Sequence, residues 1–87
     1  MNYLHYEFDL GPNDVVRVTL DKQANVKMLD ENNYRSYQSG RQHRYYGGLA
    51  KTSPINLKAP HQGHWHVVID LGGYPGTVRA SAQVLGR

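Results

Sequence analysis

The chain has 87 residues, no cysteine, and a formal charge of +3 from ten Lys+Arg against seven Asp+Glu. That length fits one domain, 1–87, with one modest core, burying about 60–65% of the unfolded surface. The absence of cysteine excludes a disulfide framework and a thiolate zinc site.

The opening Met1–Leu10 lacks the basic and apolar regions of a signal peptide. The longest strictly apolar run, Val67-Val68-Ile69, is far short of the roughly 20 residues of a membrane-spanning helix. The expectation is therefore a cytoplasmic protein with no membrane partner.

In chain order the apolar pattern has period two. Tyr3–Leu10 alternates, and Gly11-Pro12-Asn13-Asp14 is a turn. Val16, Val18 and Leu20 then share a face. After Asp21-Lys22-Gln23 comes a strand over 24–29, with Val26 and Met28 opposite Lys27. Asp30-Glu31-Asn32-Asn33 reads as a breaker, and Tyr34–Gln38 as a loop or single turn. Strands are expected within 41–49, over 54–57 and, most clearly, over 64–71. In the last, Trp65, Val67, Ile69 and Leu71 face the core, while His64, His66, Val68 and Asp70 face away. Val78, Ala80, Ala82 and Val84 alternate in a final strand. Short strands between Gly/Pro/Asn/Asp turns predict an all-β fold: a small antiparallel β-sandwich, jelly-roll-like, of seven or eight short strands. The predicted core is Phe8, Val16, Val18, Leu20, Val26, Met28, Ile55, Leu57, Trp65, Val67, Ile69, Val78, Ala80 and Val84.

Several segments resemble a known family. They are Leu4-His5-Tyr6, Asp14–Leu20, Arg41–Gly48, Ser53-Pro54, Gly63–Gly73 and Val78–Ser81. Together they are similar to the bacterial domain-of-unknown-function family numbered 1883 over nearly the whole chain. The resemblance implies a small bacterial all-β domain, standing alone or fused to TIR signalling domains, and carries no catalytic residue. The order of elements is also similar to small jelly-roll accessory modules such as pre-peptidase C-terminal domains.

Two constellations carry chemistry. The first is His61-x-x-His64-x-His66. Residues i and i+2 of a strand share a face, so His64 and His66 can aim at one point. A metal with open positions can use two His and a carboxylate. Asp70 shares the face, and the spacing is similar to the first cupin motif, but with Asp for Glu and no later histidine. Asp70 also lies about 13 Å along the strand from His66. The plainer reading puts both histidines on a solvated strand face.

The second is the stretch between Asn32 and Ile69, which holds no acidic residue. It contains Arg35, Arg41, Arg44, Lys51 and Lys58, and Tyr34, Tyr37, Tyr45 and Tyr46. Arg makes charged, bidentate hydrogen bonds to carboxylate or phosphate, and Tyr gives contact area at low entropy cost. A solvated loop whose tyrosines cap the sandwich has the same composition. With neither a major-groove helix nor an RNP-like strand, the pattern argues against nucleic acid. Gly47-Gly48 and Gly72-Gly73 read as turn punctuation, since no helix follows to make a phosphate loop. No serine sits in a nucleophile elbow. Protonating all five His near pH 5 would take the charge from +3 to about +8 and strengthen anion binding.

The favoured expectation is a non-catalytic binding module without cofactor. It takes an anionic small molecule or a protein partner on Arg35, Tyr37, Arg41, Arg44, Tyr45 and Tyr46. The alternatives are a metal-dependent enzyme using His61, His64 and His66, and a homo-oligomerisation unit joined through an exposed sheet edge.

Overall fold

The computed structural model describes residues 3–86; of the amino-terminal stretch read for targeting, Met1 and Asn2 lie outside the described residues, as does Arg87. Seven strands and one helix occur among the described residues. They are β1 (Leu4–Leu10), β2 (Val15–Leu20), β3 (Ala24–Asp30), α1 (Glu31–Gln38), β4 (Tyr46–Ala50), β5 (Ile55–Lys58), β6 (Gly63–Asp70) and β7 (Ala80–Val84). The strands form two antiparallel sheets, ordered β1-β6-β3-β4 and β5-β2-β7. The chain changes sheet at every strand-to-strand connection except β3 to β4. That wiring makes the sandwich jelly-roll-like.

Alternation puts one face of each strand between the sheets. Val16 and Val18 meet Val26, Met28, Trp65, Val67 and Ile69 there, with Leu10, Ala24, Ala50 and Ala59 closing the ends. Each large apolar side chain so buried contributes about 1.5–3 kcal/mol. Of the predicted core, Phe8, Ile55, Val78, Ala80 and Val84 pack at its margin, half-buried.

Three expectations are corrected. The supposed breaker is a helix start: Asp30 is the N-cap, its carboxylate accepting from the Asn33 N–H at 2.9 Å. The helix follows because Tyr34 and Tyr37, three residues apart, turn one face onto Leu29 and Val68 of the outer sheet. The outer face of β6 is consequently not solvated at its centre. Val68, His66 and Asp70 are all buried, beneath a layer that a strand pattern cannot announce. Finally, the strand expected within 41–49 is confined to β4, because residues 41–45 bend back beside α1.

Candidate functional site

Register assembles the site. On the outer face β1 contributes His5, Glu7 and Asp9; β6 contributes His64 and His66; and α1 contributes Glu31 and Tyr34. Glu7 lies opposite His66 on one side, and Leu29 opposite it on the other. Cross-strand partners point the same way. His66, 3% exposed, is thus at the centre of a cluster whose members lie up to 61 positions apart in the chain.

The hydrogen bonds form one directed chain. The Glu31 carboxylate accepts from His66 Nε2–H at 2.8 Å. In a neutral ring this leaves Nδ1 as acceptor, 2.8 Å from His5 Nε2, which donates to it. His5 Nδ1 then accepts from the Tyr34 hydroxyl at 3.2 Å. Tyr34 accepts from the Tyr3 hydroxyl at 3.0 Å, and Tyr3 from the Gln38 amide at 3.3 Å. Each member beyond the Glu31 carboxylate donates once, so the carboxylate at one end fixes both tautomers. Stacking holds the rings: Tyr34 to His66 and Tyr34 to His5 have centroids 4.0 and 4.5 Å apart.

His64 is held differently. Its Nε2 is 3.0 Å from Glu7 Oε1 and its Nδ1 2.7 Å from Asp9 Oδ1. Both nitrogens donate, and the two hydrogen bonds raise its pKa, that to Glu7 first. Burial lowers the pKa of His5, with the charge of a protonated His66 adding to it. His5 and His64 are therefore shifted in opposite directions and do not titrate together. The His64 hydrogen bond draws Glu7 down, and the His66 hydrogen bond draws Glu31 down.

Two groups have metal-ligand chemistry, and they share His66. His5, Glu7 and His66 present ligand atoms all within 4.8 Å of one another, as do Glu31, His64 and His66. The histidine set expected from sequence is divided. His64 and His66 share the outer face, but His61 lies against the Trp65 ring, which points into the core. His5, Glu7 and Glu31 were missed, because nothing in the spacing of one strand reports its neighbour. Asp70 stands apart, accepting from Asn25 at 3.0 Å, Tyr37 at 2.7 Å and the Gly72 N–H at 2.8 Å.

The basic, tyrosine-rich set is divided too. Tyr37 is buried, its hydroxyl donating to Asp70, so it offers no open contact surface. Arg35 pairs with Glu31 at 3.1 Å on the exposed side of α1. Tyr46 opposes Met28 and meets Trp65 edge-on, at the core side of β4. Tyr45 lies on the outer side, where the Lys27 ammonium sits 4.6 Å from its ring centre and 3.1 Å from His43 Nε2. Arg41 and Arg44 flank that group and are exposed; Arg41 O meets the His43 ring, and Arg44 N–H donates to Asn33.

These features define a small β-sandwich domain in which one helix covers part of the outer face and buries His66 at the centre of a histidine network. The chain belongs to the family described as Domain of unknown function (DUF1883), which matches residues 1–87. No curated protein and no solved structure matches the chain. No helix among the described residues is long and apolar enough to cross a membrane.

Proposed function

We propose that the protein is a non-catalytic binding module. It takes an acidic segment of a partner protein on the outer rim formed by Lys27, Arg41, His43, Arg44, Tyr45 and Leu49. The observation that carries the reading is the pairing of exposed apolar area with cations. Tyr45, next to Arg44 in the chain, is 42% exposed and Leu49, on the edge strand β4, 55%, in a stretch with no acid from residue 32 to 69. An acidic peptide would meet the guanidinium groups with its carboxylates and the Tyr45 and Leu49 side chains with its apolar ones.

Docking here would use side chains rather than an added strand. β4 is an edge strand, but Gly47 and Gly48 stand at φ +114° and +140°, away from the extended values that a regular ladder needs. The same irregularity disfavours edge-to-edge self-association through β4.

The test is fluorescence anisotropy with a labelled peptide of Glu, Asp and Leu, read against salt. Binding that weakens with salt and disappears in the Arg41→Glu/Arg44→Glu variant is expected. Binding that survives charge reversal, or fails at low salt, overturns the reading. Displacement by inorganic phosphate alone would transfer the surface to small anions.

A further inference from the structure

We propose that the outer face of β1 and β6 is a binding site for one first-row divalent transition-metal ion. Its ligands are His5 Nε2, His66 Nδ1 and a Glu7 carboxylate oxygen. The site is separate from the basic rim and does not depend on the function proposed for it.

The donor set suits such an ion. Two imidazoles and one carboxylate hold zinc, and ions of similar preference, with a position left open. The three ligand atoms lie within 4.8 Å of one another, and Glu7 Oε1 is 3.6 Å from His66 Nδ1. The supporting groups are already arranged as a metal site arranges them. A ligating histidine commonly donates its second ring N–H to a carboxylate, which fixes its tautomer and raises its basicity. His66 Nε2 meets Glu31 in this way at 2.8 Å. Tyr34 stacks on both rings and meets His5 Nδ1 through its hydroxyl, so the second histidine is oriented as well. His5 and Glu7 are exposed, which leaves the open position and an entry path on the solvent side.

The two nitrogens need only a small increase in separation, with the rings turning so that both lone pairs converge on the ion. Bonds of about 2.0–2.1 Å place two ligand nitrogens about 2.9 Å apart at a right angle and about 3.3 Å at the tetrahedral angle. They now stand 2.8 Å apart, joined by one proton. On binding, the ion takes that proton's place. The proton leaves His5 Nε2 and is regained at Nδ1, which now donates to the Tyr34 oxygen. Tyr34 and Tyr3 reverse their donation towards Gln38, whose amide turns its oxygen to accept. Starting from two neutral rings, this exchange releases no proton.

The competing set, Glu31, His64 and His66, is the weaker choice. Both His64 nitrogens are held by carboxylates, at 2.7 and 3.0 Å, and would have to break from them. Using Glu31 as a ligand would also remove the carboxylate that orients His66.

The experiment is calorimetric titration of the untagged protein with Zn2+, with Co2+ followed by its visible spectrum. One equivalent should bind. His5→Ala and Glu7→Gln, both at exposed positions, should each abolish that stoichiometric uptake. Glu31→Gln should weaken it by about 10–100-fold. His61→Ala should leave it unchanged. Long-range 1H–15N spectra of the wild-type imidazoles give a readout independent of variant folding: Zn2+ should shift His5 Nε2 and His66 Nδ1. No saturable uptake, stoichiometric uptake retained in either His5→Ala or Glu7→Gln, or shifts confined to His61 or His64, overturns the proposal.

Discussion

The Tyr34 ring lies flat on the imidazole of His66, with planes within 6° of parallel and centroids 4.0 Å apart. One residue of a short polar helix thereby seals a buried histidine, and its hydroxyl reaches across to His5. Packing and polar satisfaction are joined in a single side chain, and mutation separates them.

Tyr34→Phe keeps the stack and removes the hydroxyl between His5 and Tyr3. The expected loss of stability is about 0.5–1.5 kcal/mol. Tyr34→Ala removes the ring as well and should cost about 3–5 kcal/mol, as buried aromatic truncations do. Urea unfolding of both variants measures the difference; equal losses would show that the stack contributes nothing.

Asp70 predicts an acid limb of stability. Its burial alone would raise its pKa, but hydrogen bonds from Asn25, Tyr37 and the Gly72 N–H, with the Lys27 charge, together hold it below the usual value. The folded protein therefore binds this proton less readily than the unfolded chain, whose carboxyl titrates near about pH 3.9. The stabilisation is complete above that pH and is lost as pH falls through the lower, folded value. Asp70→Asn should be less stable at pH 7 and should flatten the dependence below about pH 4 by up to about 1.4 kcal/mol per pH unit. Unfolding curves from pH 2 to about pH 7 check this; parallel wild-type and variant profiles would refute it.

Gly47 and Gly48 are neighbours with different reasons to be glycine. A Cβ on Gly47 would stand 2.3 Å from the Val26 carbonyl oxygen, whereas one on Gly48 meets nothing within 4 Å. Both have positive φ. Gly48→Ala should cost about 1–3 kcal/mol in backbone strain. Gly47→Ala adds the displacement of β3 and should cost distinctly more. Melting temperatures of the pair decide it, and the reverse order would contradict the described backbone.

Asp30→Ala tests the helix that the local pattern hides. Losing the cap bond to the Asn33 N–H should cost about 0.5–2 kcal/mol. Loosening α1 should also reduce protection of the His66 ring. A stability change without altered His66 resonances would show that α1 stays seated without its cap.

Much of the sandwich was legible in the chain. Val16-Val18-Leu20 and Trp65-Val67-Ile69 alternate because a half-buried strand presents every second residue to the core. The turn at Gly11–Asp14 is legible because its residue types admit turn backbones. The helix was not. Asp30–Asn33 suits a turn and an N-cap equally, and only the apolar patch of Leu29 and Val68 decides between them. The fate of the tyrosines was hidden for the same reason: Tyr37 is buried and Tyr45 exposed, though both read alike.

The sequence by itself determined the period-two architecture, the acid-free stretch and the shared face of His64 and His66. Those are local properties, set by alternation and composition. The tertiary structure alone decided that His66 is buried, that His61 is turned to Trp65, and that His5, Glu7 and Glu31 converge on His66. Strand order and register bring together residues far apart in the chain, and a single strand's spacing carries no record of which strand will pair beside it.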